Sequence, residues 1–282
     1  MHLALAPVAL PLVMRGAKLS VFLHGIEAWR RVRRGEGIAL RRSRLLIANS
    51  EHTARGFKAA NPEFAKREVI VCPLGSETAA TQPPATESPS IGRSAEGTQS
   101  IALIVGRMSA EERYKGHDLL IELWPTIVNR VPDAMLVVVG DGDDRARLEA
   151  KAHASRASRQ IQFRGRVSDE ELRTLYRDCD FFVMPSRGEG FGLVFLEAMR
   201  AGKACLGGIG AASEVIEHGV TGYVVDPADA EAVGEAISRL FTNRDETERM
   251  GRAGAERFAD QFTAGHFRSR LRDILETLEG RR

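Results

Sequence analysis

The alternation of short apolar runs with amphipathic stretches between residues 101 and 225 constrains the fold of this chain more than any other feature. It predicts strands over 101–105, 135–139, 161–163, 181–184 and 223–225. It predicts helices over 116–131, 143–154, 169–177 and 192–201. This pattern favours a parallel sheet covered on both faces, a doubly wound α/β domain. Because ligands of such domains bind beyond the carboxyl ends of the strands, the functional side chains should follow strands.

The composition changes abruptly between residues 78 and 100, where Pro, Ser, Thr and Ala replace large apolar residues. This segment is predicted to be a linker. Residues 1–77 contain only three short apolar runs and are interpreted as a partial domain. Residues 101–262 form the main domain. Residues 263–282 are predicted to form a helix that packs back toward the first part.

Net charge, cysteine spacing and the length of the apolar stretches exclude several classes of protein. A formal net charge of +2 over 282 residues is too small to indicate a nucleic-acid partner. Cys72, Cys179 and Cys205 are far apart, which fits neither a disulfide framework nor a zinc site and favours the cytoplasm. The apolar opening, Leu3 to Met14, is broken by two prolines and is too short to span a bilayer. Only His2 stands between it and Met1, so we expect no signal peptide.

The strongest local signal is PSRGEGFGLVFLEAMRAGKACLGG, which begins at Pro185. The predicted turn contains three glycines that permit close approach of a ligand and positive φ, namely Gly188, Gly190 and Gly192. The helix that follows would begin with three free amides, an anion site, at Phe191, Gly192 and Leu193. Glu189 and Glu197 would flank a bound phosphate. In the alternative interpretation, Glu197 is an exposed helix residue and Glu189 interacts with the helix dipole.

The second signal, GRMSAEERYKG, follows the first strand of the main domain. Arg107 and Lys115 flank its loop on the same sheet edge as Glu189. At an effective dielectric constant near 20, each cation at ~4 Å from a diphosphate gives about 4 kcal/mol of attraction before desolvation. Such cations could replace a metal ion. The alternative is an ordinary pair of surface cations.

These strings resemble the retaining glycosyltransferases of family four, in the order and approximate spacing of that family. The matching segments include VGRMSAEERYKGHDLL, VVVGDGDDRARLE and ASEVIEHGVTGYVVDP, together with the string at Pro185. The resemblance implies a GT-B fold with a complete C-terminal Rossmann-type domain and a partial N-terminal one. It implies that Glu189 contacts the donor sugar, that Glu197 contacts the ribose, and that Arg107 and Lys115 bind the diphosphate. The backbone near Val167 would border the base.

Weaker matches lie in the N-terminal part. LSVFLHGIEAW resembles the element whose histidine, here His24, reaches the reaction centre, and RLLIANSEHTARGF resembles a second family element.

Two DxD-like strings, at 141–143 and 178–180, could suggest a metal site. Their places next to strands favour capping and structural roles instead. We therefore expect no cofactor and no essential metal.

The N-terminal part departs from the family pattern. Only 23 residues precede His24, and no Gly-rich opening loop exists. A misplaced start codon, a degenerate gene and a separately encoded N-terminal partner each explain this, and each predicts an uncovered surface or self-association. Arg30 to Arg44 carries seven arginines against one glutamate. This segment is either a solvated surface or a contact with anionic lipid at the inner face of a membrane.

Three functions compete at this stage. The first is transfer of a hexose, with retention, from a nucleotide-diphosphate sugar to a glycan or lipid-linked hydroxyl acceptor. The second is a truncated module that binds the nucleotide sugar without turnover. The third, an epimerase of the same fold, is disfavoured by the two spaced glutamates.

Overall fold

A computed structural model of the protein describes residues 1–77 and 100–280, with side chains to residue 276. The segment predicted to be a linker falls on residues 78–99, outside the described residues. The strands are β1 (Ser20–Leu23), β2 (Leu45–Ala48), β3 (Ile70–Val71), β4 (Ser100–Val105), β5 (Ala134–Val139), β6 (Ile161–Gly165), β7 (Phe181–Met184), β8 (Ala204–Gly208) and β9 (Gly222–Val225).

The α-helices of the same residues alternate with these strands and then complete the C-terminal end. They are α1 (Leu10–Met14), α2 (Arg34–Arg42), α3 (Glu51–Ala60), α4 (His117–Arg130), α5 (Arg145–His153), α6 (Asp169–Asp178), α7 (Leu193–Arg200), α8 (Ala212–Val215), α9 (Ala230–Thr242), α10 (Arg244–Gln261) and α11 (Ala264–Gly280). Short 3-10 segments include Leu3–Ala9 and Ala110–Lys115. The α/β class predicted from the alternation is confirmed.

The strands form two separate parallel sheets. The smaller has the order β1-β2-β3, and the larger has the order β6-β5-β4-β7-β8-β9. In the larger sheet the chain moves outward from β4 through β5 and β6, then returns to the other side of β4 at β7. The switch point therefore lies between the carboxyl ends of β4 and β7, where a doubly wound sheet binds its ligand.

Each sheet has its own hydrophobic core. The larger core includes the fully buried Trp124, Phe181 and Phe182, and the smaller includes Phe57 and Leu40. Burial of such side chains supplies the main favourable free energy of folding, at about 25 cal/mol per Å² of apolar surface.

The strand β8 was not predicted from the sequence. Four of its five residues, Ala204, Cys205, Gly207 and Gly208, are small, and the two glycines are typical of a turn. The structure shows why small residues are needed, since a Cβ on Gly207 would lie 2.8 Å from the Cβ of Ala212. The strand is completely buried, and its small side chains let helices pack closely on it.

The last helix, α11, lies against the N-terminal sheet. The ring of Phe267 contacts that of Phe22 edge to face at 6.4 Å between centroids. Arg270 donates from Nη2 to the carbonyl of Pro73 at 3.1 Å. Ser76 forms a parallel bridge with Thr263. These contacts join the C-terminal segment to the N-terminal half, residues 1–77, which carries the smaller sheet. The larger half, residues 100–262, carries the larger sheet.

Candidate active site

The loops after β4 and β7 pack directly on each other at the switch point. The amide of Arg187 donates to the carbonyl of Tyr114 at 2.9 Å. Gly116, with φ of 92°, ends the first loop against Pro185, whose carbonyl would lie 2.8 Å from any added Cβ. A residue with a side chain at this position would separate the two loops. This packing places Lys115 beside the turn that follows β7.

Lys115 lies between two carboxylates. Its Nζ is 3.6 Å from Glu189 Oε1 and 3.6 Å from Glu112 Oε2, and all three side chains are largely buried. Glu112 also pairs with Arg107, whose Nε donates to Oε2 at 3.1 Å. The structure thus links Arg107, Glu112, Lys115 and Glu189 in one chain of contacts, which brings together three of the residues selected from the sequence.

Glu112 is the member of this chain that the sequence did not reveal. Burial raises the pKa of its carboxyl, but the hydrogen bond from Arg107 and the charge of Lys115 outweigh that effect, so the net pKa is lowered. No sequence pattern favours Glu112 over its neighbour Glu111, which is exposed. Only the fold turns one of the two carboxylates toward the cations.

The helix α7 begins at this point without a side-chain cap. Gly192 is its N-cap residue, with φ of 87°, and Leu193 is its first residue. An uncapped N-terminus with the positive end of the helix dipole favours an anion. Phe191, just before it, is buried and contacts the ring of Phe262 at 6.2 Å.

Two of the three glycines in the turn do not behave as predicted. Only Gly192 has a positive φ, so the expectation of positive φ at Gly188 and Gly190 is wrong. Gly190 is needed for a different reason, because an added Cβ would collide with the carbonyl of His24. A Cβ on Gly25 would in turn lie 2.7 Å from the Cα of Gly190. The backbones of the two halves touch here.

His24 follows β1, and its backbone carbonyl takes part in this contact. Its backbone amide donates to Glu27 Oε1 at 2.6 Å, and its carbonyl accepts from Asn49 Nδ2 at 2.7 Å. Its ring stacks on Phe22 at 4.7 Å. Desolvation lowers the pKa of the His24 imidazole, against the opposing effect of Glu27, so the ring is neutral near pH 7.

Glu197 lies apart from the chain of contacts that ends at Glu189. Among the described residues its hydrogen-bond partner is Tyr176, whose hydroxyl donates to Glu197 Oε2 at 2.9 Å. Both residues line a cavity of about 160 Å³ with Arg173, Arg200 and Ala201. Burial and the carboxylate raise the pKa of Tyr176 well above its usual value, so the phenol stays a donor. No sequence pattern indicates a role for this tyrosine, because it fits the apolar face of α6.

The remaining predicted residues occupy loops at the same sheet edge. Val167 lies between β6 and α6 and packs partly on the core. Asp141, expected to cap the next helix, instead accepts from the amide of Gly142 at 2.9 Å, and the N-cap of α5 is Asp144.

Within residues 1–77 and 100–280, no group of three or more His, Cys, Asp or Glu side chains could hold a metal ion. The absence of a metal requirement stays a prediction.

Comparison with known proteins assigns the family. Residues 91–257, more than half of the chain, match the model of "Glycosyl transferases group 1". The chain belongs to the group 1 glycosyl transferases. This agrees with the resemblance found in the sequence.

Two curated relatives of this group 1 chain are mannosyltransferases. A GDP-mannose-dependent alpha-(1-6)-phosphatidylinositol monomannoside mannosyltransferase of Mycobacterium tuberculosis is 36% identical over 169 residues, 57% of this chain and 44% of the relative. The GDP-mannose-dependent monoacylated alpha-(1-6)-phosphatidylinositol monomannoside mannosyltransferase of Corynebacterium glutamicum is 28% identical over 81% of this chain and 61% of its own length. This group 1 chain therefore spans about half the length of these relatives.

Solved structures support the GT-B fold of this group 1 glycosyl transferase. HepE of Anabaena, in complex with UDP and glucose, aligns with a TM-score of 0.78 and 21% identity, over 98% of this chain and 75% of HepE. Sucrose-phosphate synthase of Thermosynechococcus elongatus aligns with a TM-score of 0.78 and 21% identity, over 99% of this chain and 73% of the synthase.

Proposed function

We propose that this protein transfers a hexose from a nucleotide-diphosphate sugar to a hydroxyl group of a glycan or a lipid-linked acceptor, with retention at the anomeric carbon. The observation that carries the proposal is Lys115, held at 3.6 Å from Glu189 in the turn that leads into the uncapped helix α7. A cation and a carboxylate side by side match a donor whose diphosphate adjoins sugar hydroxyls.

In the reaction, the bond from the anomeric carbon to the diphosphate oxygen breaks and a bond to the acceptor oxygen forms. The acceptor proton passes to the departing diphosphate. Negative charge grows on the leaving group, where Lys115, Arg107 and the α7 dipole would stabilise it. Arg107 has to exchange Glu112 for the diphosphate, a change that its exposed side chain permits. Glu189 and neutral His24 would orient the sugar.

GDP-mannose is the first donor to test, because the relatives named above depend on it. UDP-glucose is the second, since HepE was solved with UDP and glucose. The anomeric configuration of the product, read by NMR, tests retention.

The decisive variant is Lys115→Ala. Loss of one charge-assisted hydrogen bond, about 1.5–3 kcal/mol, should weaken nucleoside-diphosphate binding roughly tenfold to a hundredfold. Calorimetry with GDP and UDP measures the affinity. Arg113→Ala is the matched control, because that side chain lies in the same segment but pairs with Asp144 at 2.7 Å. Equal affinity in the wild type and in Lys115→Ala would refute the proposed donor site.

The second candidate function is a nucleotide-sugar-binding module without turnover. The small three-stranded sheet among the described residues of the N-terminal half favours it. Binding of GDP or UDP without product formation, in the presence of candidate acceptors, would select the module over the transferase.

We also propose peripheral contact with anionic lipid through residues 30–44. Five of the seven arginines are exposed, namely Arg31, Arg33, Arg34, Arg41 and Arg42. Arg30 instead donates to Glu36 at 2.7 Å. Among the described residues, no helix has the length and apolar character needed to span a bilayer.

A further inference from the structure

The helix α3 of the N-terminal half begins against a carboxylate from the other half. Glu214 Oε2 accepts from the amide of Glu51 at 2.8 Å, and Oε1 accepts from the amide of His52 at 2.7 Å. The next amide, that of Thr53, donates to Ser50 Oγ at 2.9 Å. The first three amides of a helix have no partner within it, so Glu214 and Ser50 together complete the start of α3.

The same start of α3 touches the turn that carries Glu189. Ser50 Oγ donates to the carbonyl of Gly190 at 2.7 Å, and Thr53 Oγ1 donates to it at 3.1 Å. Both bonds join the two halves. The carbonyl of Gly190, the residue after Glu189, is therefore held by the hydroxyl groups of Thr53 and of Ser50, the N-cap of α3. Glu214 completes the start of that helix.

The segment that bears Glu214 is itself anchored to the larger half. Arg257 of α10 donates from Nε to the carbonyl of Val215 at 2.9 Å and from Nη2 to that of Glu214 at 3.2 Å. These bonds fix the backbone from which the carboxylate reaches across. The negative charge is placed at the positive end of the α3 dipole, which strengthens both hydrogen bonds.

We propose that Glu214 is a positioning residue, which holds α3 where Ser50 and Thr53 fix the Gly190 carbonyl and thereby set Glu189 against Lys115. Glu214 lies outside the predicted donor site, and its effect on the reaction would pass through α3. The effect on transfer rests on the proposed function, whereas the contact between the halves does not.

The test compares Glu214→Gln with Glu217→Gln. Glutamine keeps one acceptor oxygen and faces the second amide with an NH₂ group that cannot accept. Glu217 lies on the same segment, is more than half exposed, and pairs with Arg257 only at 3.8 Å. Hydrogen exchange at the amides of Glu51 and His52 should accelerate at least tenfold in Glu214→Gln and less than twofold in the control. Unchanged exchange in Glu214→Gln would overturn the inference.

The kinetic arm separates positioning from donor binding. In Glu214→Gln, kcat for transfer should fall about tenfold or more, while the Kd of GDP or UDP stays within twofold of the wild type. Loss of nucleotide affinity equal to the loss of kcat would contradict a positioning role. Absence of turnover in the wild type would refute the proposed function, and the exchange result would still decide the role of Glu214.

A double variant tests whether Glu214 acts through the hydroxyl contact. If it does, Glu214→Gln combined with Ser50→Ala should lower kcat little more than the stronger single variant does. The reason is that both substitutions disrupt the same contact between the start of α3 and Gly190. If the double variant instead lowers kcat by the product of the two single factors, the two residues act independently and the proposed route is overturned.

Discussion

At the scale of single residues, the candidate site consists of charged side chains that lie close in space although they are far apart in the sequence. The chemistry of Arg107, Lys115 and Glu189 and their order along the chain predict them as site residues. The structure joins Arg107 to Lys115 through Glu112, and Lys115 directly to Glu189. Glu197 has a different environment, with Tyr176 as its partner. A residue type and its place after a strand predicted the edge of the sheet, but not the partner of each side chain.

His117 gives a residue-scale prediction. It is 4% exposed, and its Nε2 is buried without a hydrogen-bond partner in the described part of the chain. Burial lowers the pKa of His117 to about 4. The unfolded chain, with a pKa near 6.5, therefore binds more protons between pH 6.5 and 4, and the free energy of unfolding falls as the pH falls through that window.

The corresponding experiment is urea unfolding at pH 7 and pH 4.5. Between these values, the wild type should lose roughly 2 kcal/mol more than His117→Gln. His153→Gln, at an exposed position near the end of α5, is the control and should follow the wild type. A pH dependence of His117→Gln equal to that of the wild type would contradict the assigned shift.

At the scale of elements, most strands and helices followed from periodicity. The exceptions are informative. The strand β8 lacks the β-branched residues that mark a strand, and its neighbours leave no room for a side chain at Gly207 or Gly208. The helix α8, four residues long, had no periodic signal, although it carries Glu214. Local pattern thus missed elements whose sequence is dictated by close packing or by contact with the other half.

The helix α11 supports a prediction at this scale. Its Phe267 contacts Phe22 of the N-terminal sheet edge to face. Removing the ring by Phe267→Ala should lower the free energy of unfolding by about 2 kcal/mol, through lost apolar burial and the aromatic contact.

Leu275→Ala on the same helix is the control, because Leu275 is 40% exposed and should change stability by at most about 0.5 kcal/mol. Urea unfolding of the three proteins measures the difference. Equal destabilisation by both substitutions would mean that helix formation, and not the contact with Phe22, accounts for the effect.

At the scale of the whole molecule, exposed apolar residues concentrate in the N-terminal half. Leu5, Val8, Leu12 and Met14, on the 3-10 segment Leu3–Ala9 and on α1, are 57–78% exposed. Such an apolar surface favours self-association or contact with another surface. The exposed arginines of residues 30–44 lie in the same half, and Gly35 of α2 packs near Pro7 of the 3-10 segment.

We predict that the double variant Val8→Glu, Leu12→Glu reduces both self-association and binding to vesicles that contain anionic lipid. Sedimentation velocity and vesicle co-sedimentation measure the two effects. Vesicle binding should also weaken with salt, since the arginine contribution is screened. Val220→Glu, at an exposed apolar position of the other half, is the control. Unaltered vesicle binding in the double variant would remove this surface from the proposal.

The sequence by itself determined the parallel α/β architecture, the edge of the larger sheet at which a ligand site is predicted, and the residue types gathered there. These depend on patterns that repeat within one element or recur just after strands. Only the tertiary structure decided that Ser50 meets Gly190, 140 positions away, and that Glu214 closes the start of α3. Such pairings depend on how two separately folded sheets face each other, and no local periodicity encodes that orientation.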